Sequence, residues 1–200
     1  MAKINTIIPT QNYELIRDRI AIILADEFQN QLFLTYDVDV DPVIFVERSN
    51  PFDKEELPAV NVSMAVGNFA NKNLGSSDGT YQFNIDFYTR SKSNAATGGD
   101  IISTKKLHRM IGMARYILED PIYKTLGFNP GFIMHTICTE IIIKQLDKDD
   151  ATNTAMGRLI FTVKANESNR LLSPSIALGF DTKVTIEISN EGYYYVTNNY

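Results

Sequence analysis

Leu57-Pro58-Ala59-Val60-Asn61-Val62-Ser63-Met64-Ala65-Val66 and Tyr81-Gln82-Phe83-Asn84-Ile85-Asp86-Phe87-Tyr88 decide the fold. In the first, Val60, Val62, Met64 and Val66 fall on one face and Ala59, Asn61, Ser63 and Ala65 on the other. In the second, Tyr81, Phe83, Ile85 and Phe87 share a face opposite Thr80, Gln82, Asn84 and Asp86. Successive strand side chains point to opposite sides, so this period of two predicts two strands, each with one buried and one wetter face. Between them, 67–79 reads as a long polar loop carrying Asn68, Asn71, Lys72, Asn73, Gly75, Ser76, Ser77 and Asp78. Hairpin loops run about two to five residues, so a loop this long suggests a functional or mobile segment, or else a tolerated surface insertion.

Upstream, Leu15, Ile16, Ile20, Ile23, Leu24 and Phe28 follow helical spacing, which predicts an amphipathic helix over 12–29 capped by Thr10 or Asn12. From Phe33 to Val46 the pattern turns to β, with Val43-Ile44-Phe45-Val46 as a strand opened by Pro42. The charged, proline-bearing 48–58 reads as a loop. Downstream, Asp100 is a plausible N-cap for a helix bearing Leu107, Ile111, Ala114 and Leu118, which should end before Pro121. Asp120-Pro121 then starts a short helical turn with Gly127 as its exit. A long strand is expected over 132–146, with Ile133, Ile137, Ile141 and Ile143 on one face. It returns through Leu159, Phe161, Val163 and Ala165 after a polar loop holding Asp147, Asp149 and Asp150. Beyond Asn166 an apolar linker leads to a terminal hairpin turning at Asn190-Glu191-Gly192.

A chain of 200 residues with 44% hydrophobic content can bury one substantial core. The formal net charge of −5 argues against a nucleic-acid binder, whose affinity comes from lysine and arginine on phosphates. One cysteine, Cys138, excludes an intrachain disulfide and a thiolate metal cluster. The N-terminus, Met1 to Pro9, lacks the sections of a signal peptide and no run approaches 18 apolar residues, so folding in cytoplasm without a membrane partner is expected.

Few residues invite chemistry. His135 and Cys138 are three apart on one strand and point to opposite faces; His108 would reach Cys138 only through tertiary folding. Cys138 reads as a structural residue. Asp37, Asp39 and Asp41 alternate like the opening of a calcium loop, but Pro42 stands where glycine is needed and Arg48 where the bidentate glutamate is needed. Neither Gly75 and Gly79 nor Gly98 and Gly99 match a phosphate cradle, and no Gly-x-Ser-x-Gly elbow is present. No catalytic, metal or cofactor residue is assigned.

The order helix, strands, hairpin, helix, long hairpin resembles the tail terminator (tail completion) proteins of long-tailed bacteriophages. The likeness is carried by the helix from Leu15 to Phe28, by Leu57-Pro58-Ala59-Val60-Asn61-Val62, by Tyr81 to Tyr88, by Ala114-Arg115-Tyr116-Ile117-Leu118, and by Arg158-Leu159-Ile160-Phe161-Thr162-Val163. The resemblance implies an α+β domain over 1–167, an antiparallel sheet with two helices packed on one face and a long projecting hairpin, plus a C-terminal extension over 168–200. It implies a non-enzymatic virion protein of the tail and neck, a homo-oligomeric ring of six. Its partners would be itself, the tail tube protein, the sheath where one exists, and the head-proximal connector or stopper, with genomic DNA only passing through the lumen. The docking residues would be Asn68, Asn71, Lys72, Asn73, Asp78, Asp147, Asp149 and Asp150. Another head–tail connector or head-closure ring protein is the near alternative, and an α+β enzyme or small-ligand binder the distant one.

Overall fold

A computed structural model describes residues 7–35, 41–53, 55–73, 76–94, 96–144 and 153–167. Helix α1 spans Asn12–Thr35, strand β1 Val43–Val46, β2 Ala59–Asn73, β3 Ser76–Arg90, helix α2 Gly99–Glu119, β4 Ile133–Lys144 and β5 Thr154–Glu167. The strands form one sheet in the order β1-β2-β3-β5-β4. All neighbours are antiparallel except β1 and β2, which run parallel. The architecture is α+β.

Strands β3 and β5 pair without a break from Ser77–Glu167 to Arg90–Thr154. Their inward residues Tyr81, Phe83, Ile85 and Phe87 and Leu159, Phe161, Val163 and Ala165 are all buried. Both helices lie on this face. Ile16, Ile20, Ile23, Leu24 and Phe28 of α1 and Leu107, Met110, Ile111, Ala114 and Leu118 of α2 join the same core. Apolar burial of this kind contributes about 1.5–3 kcal/mol per large side chain.

The faces of β2 and β4 differ from a strict alternation. A register shift between Met64 and Val66 turns the strand over, so Val66 pairs with Gln82 on the outer face and is 45% exposed. Gly67 and Phe69 thereby take the inward register beside Tyr81 and Gly79. Two further shifts in β4 leave Ile133, Thr136 and Cys138 opposite inward residues of β5, while Ile137 pairs with Thr162 on the outer face. One extra residue in a strand reverses every side chain that follows it.

Helix ends also move. α1 continues through Phe33, Leu34 and Thr35, where alternating apolar residues suggest a strand. Its start is closed by Gln11, whose carbonyl accepts from Glu14 N–H (3.1 Å) and whose N–H donates to the Glu14 carboxylate (2.8 Å). This is half of a capping box. Leu15 faces solvent. For α2 the N-cap is Gly98 rather than Asp100, which sits in the first turn, where a carboxylate suits the helix dipole. The helix ends at Asp120, whose side chain accepts from Ile122 N–H (2.9 Å) to start the 3-10 turn Pro121–Tyr123.

The expected loop 67–79 is mostly strand. Asn68 pairs with Thr80, Asn71 with Ser77 and Asn73 with Ser76, leaving only 74–75 between β2 and β3. A ladder needs backbone donors and acceptors, and β5 secures β3 from the other side as far as Ser77. Residues 133–144 and 154–167 lie in the sheet, so any projection of that hairpin falls to 145–152, outside the described residues, as do Asp147, Asp149, Asp150 and the terminal hairpin.

Candidate functional site

Three surfaces carry the side chains that packing alone does not use. The first is the end of the β2–β3 hairpin. Tyr81 folds back across Gly79, where an added Cβ would lie 2.5 Å from the tyrosine oxygen, and the Tyr81 hydroxyl donates to the Glu167 carboxylate. Phe69 meets the Tyr81 ring edge-on at 5.8 Å and remains 63% exposed. Asn68 is exposed beside it, whereas Asp78 is 4% exposed with its carboxylate 3.3 Å from Lys164 Nζ. Asp78 is therefore held inside the sheet, and the free end presents Phe69 and Asn68.

The second surface is the outer face near β1. The loop after β1 folds back across the sheet. Arg48 stacks over Phe45 and Phe52 at 4.7 and 4.6 Å and makes two 2.7 Å bonds to Glu56. Phe52 packs on Tyr88 at 4.7 Å. The Asn61 amide closes the loop, accepting from Arg48 N–H and donating to its carbonyl. Beside this cluster Arg158 grips Asp86 with bonds of 2.6 and 2.8 Å, and Asp86 is 5% exposed. Burial raises the Tyr88 phenol above its ordinary range, with the Asp86 charge adding to it. These groups satisfy one another, so the cluster reads as a clamp holding the loop to the sheet.

The third surface is a groove of about 420 Å³ between α2 and the edge strand β4, lined by Gly112, Arg115, Tyr116, Glu119, Asp120, Pro121 and Ile141. Glu119 closes one end. It accepts the Cys138 N–H (2.5 Å) and binds Lys124 Nζ (2.6 Å). Burial pushes the Cys138 thiol up to about 12, with the Glu119 carboxylate nearby adding to the shift. A thiol so protonated at neutral pH is a poor nucleophile. Of the histidines, His108 is exposed on α2 and His135 is exposed on the outer face of β4, opposite in direction to Cys138. Among the described residues no three His, Cys, Asp or Glu side chains gather into a metal site. Asp41 is exposed, while Asp37 and Asp39 lie outside the described residues. Among the described residues no helix is long and apolar enough to cross a membrane.

Glu119 provides a pH test. Burial opposes its charge, but the Cys138 N–H and the Lys124 ammonium outweigh burial and hold its pKa below the ordinary 4.5. A depressed folded-state pKa stabilises the fold above the unfolded value and loses that contribution as pH falls through the folded one. Glu119→Gln is therefore expected to lower the melting temperature at pH 7, with the gap to the native chain closing below about pH 4.5. A gap independent of pH would mean that packing, and not the charge, sets the cost.

No family model and no curated protein sequence matches this chain. Among solved structures it is similar to a chain of the virion of a native gene transfer agent particle. The TM-score is 0.42 and the identity 14%, over 74% of this chain and 96% of that one.

Proposed function

We propose that this chain is the subunit of a ring, most simply a hexamer, that caps a bacteriophage tail tube and joins it to the head-proximal neck. The observation that carries this reading is the layout of the sheet. It ends in two different edge strands, β1 and β4, neither paired on its outer side among the described residues, and each lies beside exposed apolar side chains. Val43 and Val46 flank one edge, and Ile141, Ile143 and Tyr116 the other. Unlike edges on opposite sides favour head-to-tail contacts, which close into rings or run on as filaments. The resemblance in element order supplies the number six and the place at the neck. It also supplies the partners: tube protein, sheath where present, and connector or stopper.

The free end of the β2–β3 hairpin, with exposed Phe69 and Asn68 and the neighbouring Asn71, Lys72 and Asn73, is the element assigned to docking on the adjacent ring. Residues 147–150 share that role, and 168–200 form the extension. The test replaces Phe69 with serine and 72–76 with a two-residue Asn-Gly turn. A variant that folds normally yet leaves tails unjoined to heads supports docking. A normal yield of infectious particles overturns it. Images of the neck should show six copies, and a strictly monomeric subunit in the virion would overturn the ring itself.

A further inference from the structure

Gly112 stands in the middle of α2 on its exposed side, and a Cβ placed there would meet no atom within 4 Å. A helix-interior glycine destabilises its helix relative to alanine. Among the described glycines, Gly112 alone has neither a positive φ nor a neighbour that a Cβ would touch. Its effect is external: the missing side chain opens the groove that Gly112 lines together with Ile141 and Tyr116, the latter 77% exposed.

A matching surface lies on α1. Leu15, Ile22 and Phe33 are all exposed. They are separated by 7 and 11 residues, close to whole numbers of turns, so they share one outward side of the helix, with Asp18, Arg19, Asp26 and Gln29 set between them. The charges of the two helices are opposite. α2 carries Lys105, Lys106, Arg109 and Arg115 against Asp100 and Glu119, a net +2. α1 carries Glu14, Asp18, Asp26 and Glu27 against Arg17 and Arg19, a net −2. Finally, α1 packs on β1 and β2 while the groove adjoins β4, so the two surfaces occupy opposite ends of the strand order.

We infer that the groove beside Gly112 receives the outward stripe of α1 from a second copy of this chain. This deepens the ring reading and rests on it. The contact is head-to-tail: each copy offers a groove at one end and a stripe at the other. Complementary net charge steers the approach, and glycine lets the incoming helix come close.

Two variants test it in the full chain. Gly112→Gln fills the groove with a good helix former, and Ile22→Asp breaks the stripe. Each is expected to keep its fold and to weaken self-association about tenfold or more, as loss of a central contact does. Mixing the two restores one intact contact, groove from the Ile22→Asp copy and stripe from the Gly112→Gln copy. Sedimentation velocity should then show dimers and nothing larger. Full-size assemblies from either variant alone would overturn this inference and leave the ring standing. Dimers from the mixture, with open chains from the native protein, would uphold the contact and overturn the closed ring. Absence of any self-association by the native chain, even at hundreds of micromolar, would overturn this inference, while a strictly monomeric subunit in the virion would overturn the ring.

Discussion

Phe83→Ala is expected to lower the free energy of unfolding by about 4 kcal/mol, within the range for deleting a buried phenylalanine. Phe83 is fully buried and sits between Met64 of β2 and Phe161 of β5, under the helices. The loss combines the apolar transfer of the ring with the void it leaves, because the flanking strands are fixed by their ladders and cannot close in. Against a total of about 5–15 kcal/mol for a domain, one such change brings the chain near its unfolding threshold. Urea unfolding should show a lower midpoint with an unchanged slope. Phe69→Ala serves as the contrast: its ring is largely exposed, so a cost below about 1 kcal/mol is expected. If the two substitutions cost the same, the central strand does not anchor the core as described.

The second large effect is expected at Asp86. Arg158→Ala would strand a carboxylate that is 5% exposed and now accepts two bonds from the guanidinium. Breaking a buried ion pair by removing one partner costs about 3–5 kcal/mol. Arg158 is itself one quarter exposed, so water reaches the site and the low end, about 3 kcal/mol or slightly less, applies. The double change Asp86→Leu with Arg158→Met should cost less than Arg158→Ala alone, because no charge is left behind. A double variant weaker than the single one would show that the pair is worth more than its desolvation.

Strands β3 and β5 were legible in sequence because their register is unbroken, so the period of two in Tyr81 to Phe87 and Leu159 to Ala165 maps onto one face. Strands β2 and β4 were less legible. A bulge inserts one residue without any composition signal, and Val66 and Ile137 change sides for that reason alone. The polar tract after Gly67 reads as a loop because side-chain chemistry hides backbone pairing. The parallel partnership of β1 with β2 and the groove beside Gly112 are products of tertiary arrangement, and no local window contains them. Cys138 reads in sequence as a buried structural residue; in the fold it is partly buried against the core. Asn68 and Asp78 were read as parts of one polar loop, yet Asp78 turns inward to Lys164 while Asn68 stays outside.

The position of β5 has a bearing on how the protein is made. It lies between β3 and β4 in space, but it is the last strand of the described sheet to be synthesised. Arg158 leaves the ribosome 72 residues after Asp86, its partner. At roughly 5–20 residues per second, β3 waits several seconds with one edge unpaired. During that interval the nascent chain carries Tyr81, Phe83, Ile85 and Phe87 on an incomplete sheet, the condition under which strand edges capture the wrong neighbour. Slowing translation between the β3 and β5 codons would lengthen the exposure, and trigger-factor-like holding of the nascent chain would shorten its consequences.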